Sequence, residues 1–229
     1  MSDTTAPSRQ SFDHRVAEAL RGFEPLGLLA ILVIAAAQIV APLNAVLVLA
    51  WAWLSRTPWR EIGYVRPRSW LAGLAIGVVF GATFKFAMKA IVMPLLGADA
   101  INPAYHFLAG NTAAVAVFVP VVIVQAGFGE ETFFRGYMFE RLGKLIGTSA
   151  GAKIVTVLVT SLVFASLHYA DQGVAGVQQA MITGLVFGTI FALTGRLWML
   201  MCAHAAFDLM AVAIIYLNLE SAVAHLVFK

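Results

Sequence analysis

The chain has 229 residues, of which 61% are hydrophobic and only 12% charged, against about 25% charged in an ordinary soluble domain; a water-facing globule is excluded. A mean hydropathy of +0.86 fits helices that leave apolar faces in lipid. The net charge of +3 does not point to nucleic acid, because the basic residues stand in short loops between apolar runs, which is the positive-inside pattern.

The first 24 residues are mixed in charge and precede the first apolar run, so they do not resemble a short cleavable signal peptide. They read as an N-terminal tail (1–24) with a surface helix over 11–24. No Ser/Gly/Pro-rich stretch divides the remainder, and 25–229 reads as a single transmembrane domain. Apolar runs predict six spans: Leu26 to Leu54, Trp70 to Leu96, Ala113 to Phe134, Ile154 to Leu167, Val174 to Leu193 and Leu197 to Leu217. The fold class expected is therefore all-α, a polytopic transmembrane helical bundle of about six spanning helices in the plasma (inner) membrane. The fourth run is short for a hydrocarbon core of about 30 Å at about 1.5 Å per residue, so it continues toward Ser149 or ends in a water-filled cavity. Gly73, Gly77 and Gly81 in the second run, and Ala180, Gly184 and Gly188 in the fifth, form small-residue stripes that let helix backbones approach closely in lipid.

Loop charge predicts an orientation. Arg56, Arg60, Arg66 and Arg68 follow the first run, Arg141, Lys144 and Lys153 follow the third, and Arg196 follows the fifth; the loops 97–112 and 169–173 contain neither Lys nor Arg. The first set is expected in the cytoplasm. A single first span then puts the tail outside, against which Arg9, Arg15 and Arg21 argue; a split first span would reverse it.

Ionised groups inside a bilayer cost on the order of 3 kcal/mol or more each, so those within apolar runs need a reason. Three clusters stand out: Glu130 and Glu131 with Arg135, Phe164 with His168, and His204 with Asp208. At about 100° per residue, positions four apart share a helical face, which pairs Glu131 with Arg135 and His204 with Asp208 and leaves Glu130 pointing elsewhere. That asymmetry predicts Glu130 as the catalytic carboxylate and Glu131 as an orienting one. One such cluster is ordinarily a satisfied polar contact between helices. Three clusters on three helices supply two histidines and three carboxylates, the parts of a general base, an electrophile and a metal site.

In this order the motifs E-E-x-x-x-R, F-x-x-x-H and H-x-x-x-N/D resemble the CAAX prenyl endopeptidase (type II) and bacteriocin-processing, Abi-like intramembrane peptidases of the CPBP family. Phe134-Arg135-Gly136-Tyr137 and the Thr194-Gly195-Arg196 turn add to the likeness, which covers about residues 112–215. The resemblance implies a four-helix catalytic core over that stretch, a cavity open to the cytoplasmic side, and cleavage of a peptide bond in a membrane-associated peptide or protein. By carry-over, Glu130 with His168 would polarise a water, while His204 and Asp208 would stabilise the oxyanion or bind metal; Arg135 and Phe164 would orient the set. The family chemistry is argued both as metal-dependent and as glutamate-dependent. A divalent ion, zinc being the fitting one, would take Glu130, His168, His204 and Asp208 as ligands.

The residues themselves leave competitors open. There is no H-E-x-x-H, Ser161 and Ser166 stand in no G-x-S-x-G, and Asp208 has no aspartate partner for aspartyl chemistry. Lys85 and Lys89 read as structural, Lys85 pairing with a carboxylate and Lys89 snorkelling; His106 and His225 read as exposed. Cys202 has no partner for a disulfide or a C-x-x-C motif. A proton-coupled carrier would use the same acids and histidines as a relay, although no internal repeat supports it, and a catalytically silent partner-binding protein would need no intact motif.

Overall fold

The computed structural model describes residues 9–40 and 42–228, so residues 1–8 of the expected tail lie outside the described part. Helices account for nearly all of it, with no strand among the described residues. In chain order these are α1 (Arg9–Arg21), α2 (Pro25–Ala36), α3 (Leu43–Leu54), α4 (Trp70–Leu95), α5 (Thr112–Ile146), α6 (Ala150–Leu167), α7 (Tyr169–Thr194), α8 (Trp198–Tyr216) and a short α9 (Glu220–Ala224). Helices α4 to α8 are the five long and apolar enough to cross a membrane.

The first apolar run departs from its expectation. Instead of one span it forms two 12-residue helices, α2 and α3, joined by a 3-10 turn at Ala37–Ile39. At about 18 Å each, neither reaches across about 30 Å of hydrocarbon. Pro42 stands at the start of α3, where its missing N–H breaks no ladder. The polar side chains near the tip, Gln38 and Asn44, hydrogen-bond to each other. The hairpin ends where it began: Arg21 Nη2 donates to Ser55 O at 3.0 Å and Trp51 Nε1 to Leu20 O at 2.9 Å. The segment is a re-entrant hairpin. Helix α1 is bent by 57° from α2, and the two together are apolar enough for either a broken span or a re-entrant loop; α1 exposes Asp13, His14, Arg15 and Glu18, and the bonds of Arg21 and Leu20 to α3 favour the re-entrant form. The N-terminal helix thus shares an end with the loop 55–69, which removes the conflict posed by Arg15 and Arg21.

The other elements follow the pattern of the sequence closely. Helix α6 begins where Ser149 Oγ accepts from Ala152 N at 3.2 Å, an N-cap that lengthens the short fourth run to 18 residues. Helix α7 is helical on either side of Gly173, whose φ of 59° breaks it before the fifth run begins. Both small-residue stripes are helix contacts. A Cβ at Gly81 would stand 2.0 Å from Ala203 O, and one at Gly184 would stand 3.0 Å from Ser161 Cα, so α4 lies against α8 and α7 against α6 at backbone distance. Helix α5 winds as a π-helix over Val122–Tyr137, starting just after Pro120, which removes one donor from the ladder.

Two unlike ends result. At one, Arg141 Nη1 donates to Arg21 O at 2.9 Å, Leu197 N to Gly63 O at 3.1 Å, Trp198 Nε1 to Trp70 O at 3.0 Å and Lys153 Nζ to Ala192 O at 3.2 Å. These bonds gather every arginine-bearing loop. At the other, Asn102 N donates to Glu220 Oε1 at 2.8 Å, Gly110 N to Tyr216 O at 3.0 Å and Gln172 Nε2 to the Tyr105 hydroxyl at 3.2 Å.

Candidate active site

Glu131 is wholly enclosed, and its Oε1 accepts from Arg135 Nη1 at 2.8 Å and faces His204 Nδ1 at 2.7 Å. A buried arginine and a buried carboxylate satisfy each other here; either alone would be an uncompensated charge. The guanidinium is also covered by aromatic faces, 5.0 Å from the Phe164 ring and 5.6 Å from Phe187. Glu130, the next residue, turns away and keeps 18% of its side chain exposed. It lines a cavity of about 720 Å³ together with His168, His204 and Asp208. The division between the two glutamates matches the expectation, but the π-helical winding brings positions five apart as well as four apart to one face, so it is the packing around Arg135 and His204 that selects Glu131.

The two histidines are presented differently. His168 caps α6, and its Nδ1 lies 2.8 Å from Phe164 O; since a carbonyl only accepts, Nδ1 carries the proton and Nε2 of the neutral ring is left as an acceptor. His204, 5% exposed, is held from below by Glu131 and directs Nε2 to Glu130 Oε2 at 3.7 Å and Asp208 Oδ2 at 3.8 Å. Phe164 joins the two: its ring centroid is 4.6 Å from that of His168, 6.0 Å from that of His204 and 4.9 Å from that of Phe134. All seven residues singled out in the sequence therefore stand together. The carboxylate that orients His204 is Glu131, across the helix interface, and not Asp208 one turn away.

A stretch of chain carries these seven residues in a recognisable order. The family model described as Type II CAAX prenyl endopeptidase Rce1-like matches residues 112–210. The match supports placing this stretch in the CPBP family. It runs from the start of α5 into α8 and holds every motif residue, while the re-entrant hairpin and α4 lie outside it. No curated protein and no solved structure matches the chain. The family is one of membrane proteases acting on membrane-associated substrates.

Around the CPBP motifs, the cavity has polar contributors that sequence reasoning passed over. Gln38 reaches it from the hairpin tip, Gln125 from α5 and Gln179 from α7. Neutral amides in apolar runs cost less than charges and so give a weaker signal. Lys85 does not pair with a carboxylate: its Nζ donates to Gln179 Oε1 at 2.6 Å and sits 4.9 Å from the Phe207 centroid. Lys89 donates to Ala100 O. His106 is exposed, as expected, and its Nδ1 lies 2.8 Å from the buried Glu220 Oε2, which ties the loop 97–111 to α9. Ser161 packs against Gly184 in the α6–α7 interface, away from the site.

Phe134, Phe164 and His204 line the buried floor of the cavity, and exposed Asp99, Ile101 and Asp171 line its mouth. It opens at the end opposite the arginine-bearing loops. The expected metal ligands do not form a cage: among the described residues no group of three or more His, Cys, Asp or Glu side chains is arranged to hold an ion. His204 Nδ1 is directed at Glu131, which leaves Nε2 as its free ring nitrogen, 3.7 Å from Glu130 Oε2 and 3.8 Å from Asp208 Oδ2. Among the described residues these donors are not drawn together as a ready-made ion site, and the chemistry below uses the protein side chains alone.

Proposed function

We propose that the chain is an intramembrane endopeptidase in which Glu130 activates a water for attack on a peptide carbonyl. The observation that carries this reading is the unequal placement of the glutamates. Glu131 is sealed between Arg135 and His204, whereas Glu130 faces the cavity with His204 Nε2 at 3.7 Å. A water between Glu130 and the acceptor nitrogen of His168 gives up a proton to Glu130 as its oxygen bonds to the carbonyl carbon. The negative charge that develops on the carbonyl oxygen is met by His204, which with a proton on both ring nitrogens donates to Glu131 through Nδ1 and to the oxyanion through Nε2. Glu130 then returns its proton to the amide nitrogen as the C–N bond breaks, releasing a carboxyl end and an amine.

Asp208 stands 3.8 Å from His204 Nε2 and is 31% exposed. It balances a protonated His204 from the open side of the cavity, which gives the acidic form of the H-x-x-x-N/D motif a use. Arg135 and Phe164 position the acid and the rings and do not touch substrate. The test is release of peptide products by purified protein in detergent. Wild-type protein cleaves, and Glu130→Gln of unchanged thermal stability does not; a Glu130→Gln protein at full rate would remove this mechanism.

A further inference from the structure

From the two unlike ends of the bundle we infer that this site works on the extracytoplasmic face of the membrane. Its substrate class is then an extracytoplasmic segment of a membrane-anchored or translocated polypeptide. The inference rests on the peptidase reading for the nature of the substrate, while the sidedness stands on charge and geometry alone.

The charge asymmetry follows the hairpin. Once α2 and α3 return to the end they left, Arg21 sits against Ser55 O at 3.0 Å, and the tail, the loop 55–69, the end of α5 with Arg141 and Lys144, and the turns holding Lys153 and Arg196 all lie at one end. The segments at the other end, 97–111, 168–173 and 217–228, contain no Lys or Arg and carry Asp99, Asp171 and Glu220. Short loops within about 15–20 residues of the spans decide topology, and Lys and Arg are retained on the cytoplasmic side. Five crossings from a cytoplasmic loop 55–69 put each arginine-bearing segment inside and the three arginine-free segments outside; Lys229, directly after the last of them, is the single exception.

The cavity belongs to the arginine-free end. Its mouth is formed by Asp99 and Ile101 from the loop 97–111 and by Asp171 and Gln172 from the head of α7, with Glu220 of α9 beside them. His168 closes α6 at that same end. Toward the cytoplasm the floor is blocked by Phe134 and Phe164, whose rings meet at 4.9 Å, with the Glu131–Arg135 pair buried there as well. A peptide reaches Glu130 from the outer face by passing the 97–111 loop; from the inner face it would have to displace that packed layer.

The experiment has two arms in cells making the full chain with the buried Cys202 replaced by Ala. One cysteine is placed at Ser221, exposed on α9, or at Arg68, exposed in the loop 55–69, and a membrane-impermeant maleimide is added. Ser221→Cys is expected to label in intact cells and Arg68→Cys only after permeabilisation; the reverse pattern overturns the inference whatever the protein's activity. In the second arm one peptide is fused to either side of a single-span anchor. Cleavage of the outer fusion alone is expected, and cleavage of the inner fusion alone overturns the inference. If Glu130→Gln protein still cuts the outer fusion, the catalytic mechanism fails while the sidedness stands.

Discussion

His204 Nδ1 lies 2.7 Å from Glu131 Oε1, the same oxygen that accepts from Arg135 Nη1 at 2.8 Å. One enclosed carboxylate thus fixes both the arginine of the first motif and the histidine of the third. The two glutamates should consequently fail in different ways. Glu131→Gln leaves a buried arginine without its counter-charge, which costs about 3–5 kcal/mol, so both stability and activity fall. Glu130→Gln removes a cavity-facing group and leaves the melting temperature close to wild type while cleavage is lost. Paired thermal melts and peptide assays check this; equal melting temperatures in the two variants would contradict the assignment.

Asp208 offers a finer distinction, because Asn keeps its size and a hydrogen-bonding group but not its charge. Asp208→Asn is expected to retain measurable turnover, since Glu131 already orients His204, whereas Asp208→Ala loses most of it. Exhaustive chelation is expected to leave wild-type turnover unchanged, given the dispersed donors. Loss on chelation with recovery on adding zinc would instead require the ligands to rearrange around an ion.

The α4–α8 contact predicts an effect far from the chemistry. A methyl group at Gly81 would lie 2.0 Å from Ala203 O, next in sequence to His204. Gly81→Ala must push the two helices apart, at about 1–3 kcal/mol or more for overpacking, and it moves His204 with α8. Gly151→Ala, in the first turn of α6 with no atom within 4 Å of the new carbon, serves as the comparison and should be neutral or slightly stabilising. Folded yield and melting temperature in detergent separate the pair, and comparable values for both would show that the helices do not meet closely here.

Alkaline stability should report on Tyr64 at the cationic end. Burial pushes its hydroxyl, 2.8 Å from Thr132 Oγ1, from 10.0 up to about 12. The raised value means that the folded state favours the neutral phenol. Its contribution is complete below pH 10.0 and is lost as pH rises toward about 12. Tyr64→Phe, which cannot ionise, should show a shallower fall in melting temperature across that interval than wild type; parallel curves would rule the residue out as a source of alkaline sensitivity.

Much of the site was legible because it depends on short-range geometry. Glu131 and Arg135 share one helix four positions apart, so their pairing was within reach of helical spacing. His168 was marked by its place at the end of an apolar run. The partner of His204 was not legible: it comes from a different helix, and sequence spacing says nothing about which groups face each other across an interface. Lys85 was misjudged for the same reason, since its partner Gln179 lies 94 positions away, and the pairing of the exposed His106 with Glu220, 114 positions away, was equally out of reach.

By itself the sequence determined a helical membrane protein, the five long spans, the glycine stripes that bring helices together, and the residues of the site. Each of these follows from local composition or helical periodicity, which act within one segment. Only the tertiary structure decided that the run from Leu26 to Leu54 turns back on itself, because a hydropathy run records how apolar a segment is and not whether its two ends meet. The hydrogen bond from Arg21 to Ser55 O closes that hairpin. That closure places the tail with the cationic loops and leaves the cavity, with Glu130 inside it, opening at the opposite end.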